Sequence, residues 1–189
     1  KVSTYDMKMN ILGTTDSIHM SNWFNGDIQR VDKFVFDDGT VMTAAELESA
    51  VGYTVYGTEN NDNLYATSAN EMLYGYAGND VLLAYGGNDI LDGGTGADNL
   101  QGGEGDDVLL GGAGNDYLYG NEGNDVYKFN IGDGADFISN YAADYATTID
   151  TLVFGSGITP SDLELVKVST YDMKMNILGT TDSIHMSNW

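Results

Sequence analysis

Residues 57–128 read, nine at a time, GTENNDNLY, ATSANEMLY, GYAGNDVLL, AYGGNDILD, GGTGADNLQ, GGEGDDVLL, GGAGNDYLY and GNEGNDVYK. The eight units run from Gly57 to Lys128 without a break of phase. Their sixth positions are Asp62, Glu71, Asp80, Asp89, Asp98, Asp107, Asp116 and Asp125. Their eighth positions are Leu64, Leu73, Leu82, Leu91, Leu100, Leu109, Leu118 and Tyr127. Fourth-position glycine holds from Gly78 to Gly123. A short, strictly kept period of this kind is the mark of a solenoid, in which each unit stacks on its neighbours.

The units fit the pattern G-G-x-G-x-D-x-U-x, where U is a large apolar residue. On these residues the chain resembles the haemolysin-type calcium-binding (RTX) repeat family over about two-fifths of its length. The resemblance implies an all-β fold: a right-handed parallel β-roll with Ca²⁺-binding turns, flanked by antiparallel β segments and one short helix. It also implies export through a type I secretion channel, unfolded at low cytosolic calcium, with folding outside the cell. The first two units depart from the pattern, with Ala66 and Ala69 for glycines and Glu71 for the aspartate. They read as a capping turn.

Within a unit, positions one to six are expected to form a turn and positions seven to nine a short strand. Glycine at positions one, two and four permits positive φ and close backbone approach. Asparagine at position five (Asn79, Asn88, Asn115, Asn124) tolerates left-handed geometry. In the strand, alternation turns the leucines inward and positions seven and nine outward. Two units make one coil, so turns on one side begin at Gly57, Gly75, Gly93 and Gly111. Those on the other begin at Ala66, Ala84, Gly102 and Gly120.

Ca²⁺ takes six to eight oxygens from carboxylates and backbone carbonyls, and stacked turns present both. The expected metal ligands are Asp62, Asp80, Asp89, Asp98, Asp107, Asp116 and Asp125, holding about four to six ions. Sites are assigned between Asp80 and Asp98, Asp98 and Asp116, Asp89 and Asp107, and Asp107 and Asp125. A fifth is expected between Asp62 and Asp80, and a site between Glu71 and Asp89 is left open. The alternative is a calcium-free solenoid in which the aspartates bond their own turns. An EF-hand is excluded by the lack of its spaced acidic loop.

Composition agrees with a cation. Twenty-nine acidic residues against seven basic ones give a formal charge of −22, which repels itself in a compact state and excludes nucleic acid and anionic membranes as partners. A halophile-like solvated surface is the alternative reading of the charge alone. There is no cysteine, hence no disulfide framework. No apolar run approaches the ~20 residues of a membrane span, so no membrane insertion is expected. The first residue is Lys1 and no signal peptide follows it; the chain is expected to be a piece of something longer.

A second period is far longer. Residues 1–23, KVSTYDMKMNILGTTDSIHMSNW, recur unchanged as residues 167–189. Identity at all 23 positions indicates a recent duplication, an array kept uniform, or an engineered overlap. The partners expected are therefore neighbouring repeats or identical subunits, head to tail.

Outside the nonapeptides, Thr151–Phe154, Leu163–Val168, Met173–Leu178 and Ser183–Met186 read as strands, with Gly179–Asp182 a hairpin turn. Gly132-Asp133-Gly134-Ala135-Asp136 resembles one more turn but is out of phase. Arg30–Phe36 and Thr40–Met42 read as strands around an Asp38-Gly39 turn. Thr43-Ala44-Ala45-Glu46 is a capping box opening a helix over 43–51. The expected division is 1–55, the back part of a flanking β-rich domain; 56–128, the roll; and 129–189, the front part of that flanking domain. Read in array order, the flanks resemble the haemolysin-type calcium-binding-related domain.

No HExxH, GxSxG or Walker-type motif is present, and the periodic carboxylates leave none over for a glycosidase pair. His19 and His185 lie in strands without ligand spacing and read as structural. An enzyme is not expected. Outward positions Met72, Ile90, Val108 and Val126 make the more apolar face, expected to pack on the flanking domain or a neighbour. The thirteen tyrosines offer an alternative role in carbohydrate or surface contact. An ice-binding ladder is disfavoured, because Thr58, Thr67 and Thr95 are out of register.

The function expected is a calcium-dependent structural module of a secreted, tandem-repeat extracellular protein, such as an adhesin stalk, extracellular fibre or surface-layer component. The alternative is the C-terminal secretion and folding module of a type I-secreted exoenzyme or toxin.

Overall fold

The computed structural model describes residues 7–10, 15–20, 31, 33–139 and 148–187. The chain divides into two compact units, residues 1–48 and 49–189.

In the first unit, β1 (Met7–Asn10) and β2 (Ser17–Met20) form an antiparallel pair. A second pair, β3 (Lys33–Val35) and β4 (Val41–Thr43), is antiparallel across the Asp38-Gly39 turn. Gly39 adopts φ +85° there, and the Thr40 N–H donates to Asp38 Oδ1 at 2.8 Å. β3 is shorter than the sequence run suggested; Arg30 lies outside the described residues. The helix α1 (Ala44–Val51) follows directly. Its capping box is formed: Thr43 N–H donates to Glu46 Oε2 at 2.8 Å and Glu46 N–H to Thr43 Oγ1 at 3.2 Å.

The second unit is built on two parallel sheets. One carries β6 (Asn63–Tyr65), β8 (Val81–Gly86), β10 (Asn99–Glu104), β12 (Tyr117–Glu122) and β14 (Ala135–Ser139). The other carries β5 (Thr54–Tyr56), β7 (Met72–Tyr74), β9 (Ile90–Thr95), β11 (Val108–Ala113), β13 (Val126–Phe129) and β15 (Thr151–Phe154). Register follows the repeat. Leu64, Leu82, Leu100, Leu118 and Ile138 stand side by side in the first sheet. Val55, Leu73, Leu91, Leu109, Tyr127 and Leu152 do so in the second. These rows face each other across the core, and Leu73 through Leu109 are fully buried. The fold is the parallel β-roll that the nonapeptides imply.

Three features differ from the sequence reading. First, β8 to β12 are six residues long, because pairing continues through positions one to three of the next unit. Their burial alternates over that longer span, so position one also faces inward; Ala84 is fully buried. Second, the fifth-position asparagines are not left-handed. Among the described residues, the non-glycine ones at positive φ are Tyr76, Tyr85 and Asn121, all at position two, where Gly94, Gly103 and Gly112 also take positive φ. The asparagines instead form a ladder: Asn61 Oδ1 accepts from Asn79 N–H at 2.9 Å, and Asn79 Oδ1 from Ala97 N–H at 2.9 Å. Third, the sheets outlast the nine-residue phase at both ends. β5 precedes the first unit, and β14 and β15 extend the last coils.

Beyond β15, a 3₁₀ turn at Pro160–Asp162 leads into an antiparallel meander of β16 (Leu163–Lys167), β17 (Met173–Ile177) and β18 (Ser183–Ser187). β18 then runs parallel to β14, joining the meander to the first sheet. Met175, Ile177, Ile184 and Met186 are buried at that end of the core. His185 sits edge-on to Phe137 at 5.2 Å between ring centroids. The outward apolar row on the second sheet stays partly open, with Met72 43% exposed.

Candidate metal centre

Each turn aspartate is tied into the backbone of the coil before it. Asp80 Oδ1 accepts from Asp62 N–H at 2.8 Å, Asp98 from Asp80 at 2.8 Å and Asp116 from Asp98 at 2.9 Å. On the other side Asp89 Oδ1 accepts from Glu71 N–H, Asp107 from Asp89 and Asp125 from Asp107, at 2.6, 2.8 and 3.0 Å. The carbonyl of each acidic residue in turn accepts from position seven of the next coil, as in Val108 N–H to Asp89 O at 2.9 Å. The acidic column is thus part of the sheet ladder. A pairing 18 residues apart, assigned from the repeat, is the one the hydrogen bonds draw.

The second oxygen of each carboxylate is the informative one. Oδ2 of Asp80, Asp89, Asp98, Asp107, Asp116 and Asp125 is buried without a hydrogen-bond partner. Buried anionic oxygens are satisfied in stable proteins or they hold a cation. Six such atoms, three in the Asp80–Asp98–Asp116 column and three in the Asp89–Asp107–Asp125 column, therefore fit bound cations, and their surroundings supply further oxygen. A Cβ placed on Gly75 would lie 2.5 Å from both Asp80 Oδ2 and the Gly93 carbonyl oxygen. A Cβ on Gly93 would lie 2.5 Å from Asp98 Oδ2 and 2.6 Å from the Gly111 carbonyl oxygen. Gly75 and Gly93, at position one, keep that space clear, and the carboxylate and the next coil's carbonyl both border it. Among the described residues no three acidic, histidine or cysteine side chains gather as a metal cluster. The donors available are carboxylates plus backbone carbonyls, a hard-oxygen set that suits Ca²⁺.

Burial sets the electrostatics. It raises the carboxyls of Asp89, Asp98 and Asp125 to about 6, Asp116 to about 7 and Asp107 to about 8. The backbone N–H bond to each opposes this, and neighbouring aspartate charges add to the rise. Asp80 is raised for the same leading reason. A column that resists ionisation this strongly is one that a divalent cation relieves.

The first two units differ in kind. Asp62 Oδ2 accepts from the Thr58 N–H at 2.6 Å and from Thr58 Oγ1 at 2.8 Å. Glu71 is held likewise by Thr67, through N–H at 3.2 Å and Oγ1 at 2.8 Å. Threonine at position two satisfies the acid locally, so neither residue presents the open oxygen of the other six. Two acids outside the nine-residue phase extend the two columns at the far end, one each. Asp136 Oδ1 accepts from Asp116 N–H at 3.0 Å and Asp150 Oδ1 from Asp125 N–H at 2.7 Å. Asp136 is buried, and burial lifts its carboxyl to about 8.

Residues 56–91, 65–100 and 92–127 match the RTX calcium-binding nonapeptide repeat (4 copies). The central segment is a block of RTX repeats. Residues 6–46 match the haemolysin-type calcium binding protein related domain. RTX repeats bind calcium, and the two families are structural calcium-binding ones. No curated protein sequence matches the chain. Among solved structures, the extracellular lipase LipA from Serratia marcescens aligns at 14% identity and a TM-score of 0.29, covering 72% of this chain and 38% of the lipase. The AlgE6R3 subunit of the Azotobacter vinelandii mannuronan C5-epimerase aligns at 22% identity and a TM-score of 0.35, covering 69% and 72%. The chain thus spans well under half of the lipase it resembles. No helix among the described residues is long and apolar enough to cross a membrane.

One substitution isolates the role of the open oxygen in the RTX block. Asp107→Asn keeps the acceptor for Asp89 N–H but puts a neutral amide where Oδ2 stands. It is expected to raise the calcium needed for half-saturation about tenfold or more, the size of a lost charged contact of ~1.5 kcal/mol or above. Asp106→Asn is its control, since the exposed Asp106 accepts from Asn124 N–H at 2.8 Å and asparagine preserves that bond. Calorimetric calcium titration of the two variants should separate them. Equal affinities would remove Asp107 from the ligand set.

Proposed function

We propose that this chain is a calcium-dependent structural module of a secreted, tandem-repeat extracellular protein: an adhesin stalk, an extracellular fibre or a surface-layer component. The observation that carries this reading is the two columns, three in each, of buried, unpartnered Oδ2 atoms. The ligands on this reading are Asp80, Asp89, Asp98, Asp107, Asp116 and Asp125, with backbone carbonyls of the adjoining coils. Bound calcium supplies the positive charge that these carboxylates lack. The aspartates hold two coils in register through Oδ1 and offer Oδ2 to the ion. Glycine at position one keeps the space open beside Asp80, Asp98, Asp107, Asp116 and Asp125, and the leucines fix the spacing between the two sheets. At cytosolic calcium the roll stays unfolded for export; at extracellular calcium it folds.

The array part of the reading is supported by the exact recurrence of residues 1–23 as 167–189. It is tested with a chain of two 166-residue periods by small-angle X-ray scattering. In calcium the scattering should be that of an extended rod whose length grows with each added period. Two periods that tumble independently in calcium would sink the stalk, and would support instead the secretion and folding module of an exoenzyme.

A further inference from the structure

One 23-residue sequence occurs twice in this chain, and its two copies meet different surroundings. Both form the same hairpin in the same register. Met7 pairs with Met20, Lys8 with His19, Met9 with Ile18 and Asn10 with Ser17 in the first copy. Met173 pairs with Met186, Lys174 with His185, Met175 with Ile184 and Asn176 with Ser183 in the second.

The second copy is docked on the roll. β18 lies parallel to β14, with Asp136 beside Ile184 and Phe137 beside His185. The Ser183 N–H donates to Gly134 O at 2.8 Å, and Asp182 Oδ2 accepts from Gly132 N–H at 2.8 Å. Ile184 is 0% exposed. In the first copy, among the described residues, β1 and β2 make a sheet of two strands with no third strand paired to β2. Ile18, the counterpart of Ile184, is 51% exposed. Asp16 and Ser17 are exposed where Asp182 and Ser183 are buried.

A two-stranded hairpin is marginal by itself, and an open strand edge beside an exposed isoleucine invites pairing. The surface that fits this hairpin is already known, because the identical hairpin occupies it. We propose that β1–β2 of one copy docks on β14 of a second copy, in place of that copy's own β17–β18. The occupant and the receptor are different surfaces of the chain, so the contact is heterologous and head-to-tail. The proposal rests on the roll being a folded unit, and so on the calcium reading above. In the wild-type chain the resident hairpin competes from a short tether at high effective concentration. Exchange is therefore concentration-dependent, and it dominates once β18 is weakened.

The chain lacks cysteine, so its contacts can be trapped by single thiols. One chain carries His19→Cys, another Phe137→Cys, and they are mixed in calcium under oxidising conditions. The expected product is a disulfide-linked heterodimer. Adding Ile184→Asp to the Phe137→Cys chain should raise its yield several-fold, and adding Ile18→Asp to the His19→Cys chain should abolish it. A chain carrying both Phe137→Cys and His185→Cys serves as the reference for a docked hairpin. Three results overturn the proposal: no heterodimer while the reference closes, a heterodimer indifferent to Ile18→Asp, or a His19→Cys/Phe137→Cys chain that links only within itself. Failure of the calcium reading is seen separately, as a circular dichroism spectrum unchanged by chelator.

Discussion

Chelating calcium at pH 8 is expected to abolish the parallel sheets between Thr54 and Phe154 in one cooperative step. The core gives the reason. Each nine-residue unit buries one large side chain at position eight, a leucine in seven units and Tyr127 in the last, and one such side chain offsets little of the entropy of ordering nine residues. Against that thin core stand six buried carboxylate oxygens with no hydrogen-bond partner. Cooperativity follows from the ladder, in which every acidic residue gives its N–H to the next Oδ1 and takes the next coil's N–H on its carbonyl. One unfilled turn therefore loosens the coil on each side. Binding restores the fold by mass action, since each ion at a hundredfold its Kd adds about 2.7 kcal/mol to a state that binds it. Far-ultraviolet circular dichroism should show β-structure returning near 10⁻⁴–10⁻³ M calcium, roughly the range of extracellular calcium modules. Magnesium should do so poorly, because it keeps its waters and demands a tighter octahedron. A spectrum indifferent to chelator would leave the aspartates as turn formers and nothing more.

What the sequence disclosed and what it hid have physical causes. The leucine rows and the pairing of Asp80 with Asp98 or Asp89 with Asp107 were legible because a strict period puts like residues side by side. The six-residue strands were not, because their second halves are glycine and alanine, which carry no hydrophobic signal. The asparagine ladder was missed since a turn preference and a side-chain acceptor call for the same residue. Thr151–Phe154 was legible as a strand, but the places of β14 and β15 in the roll were obscured by insertions that spread the acidic spacing to 20 and 25 residues. Their motifs survive nonetheless: Gly134-Ala135-Asp136-Phe137-Ile138 and Ile149-Asp150-Thr151-Leu152 keep the acid two residues before the inward apolar side chain. Local satisfaction of Asp62 and Glu71 was signalled only by Thr58 and Thr67 at position two, where later units carry glycine, tyrosine or asparagine. The buried end of the duplicated segment was unreadable in principle. Identical residues at Ile18 and Ile184 have opposite exposure, so the difference lies in what stands beside them and not in the sequence.

Acid should partly replace calcium. In the calcium-free roll, burial holds Asp89, Asp98 and Asp125 at about 6, Asp116 at about 7, and Asp107 and Asp136 at about 8, against an ordinary 3.8. A carboxyl whose folded value is raised binds its proton more tightly in the folded chain than in the unfolded one. Its protonation therefore favours folding. That contribution is complete below about pH 4 and is lost as pH rises through about 6 to 8. The chelated chain, disordered at pH 8, is expected to recover β-structure at about pH 5, still above its isoelectric point near 4.1. With calcium present the sign reverses for binding, because protons compete for the same oxygens and the half-saturating calcium concentration rises as pH falls. Circular dichroism across pH 5 to 8, with and without chelator, reads both trends. If the chelated chain is as unfolded at pH 5 as at pH 8, neutralising the column is not enough. Calcium would then act by bridging Oδ2 of one coil to the carbonyls of the next, a link that a proton cannot make.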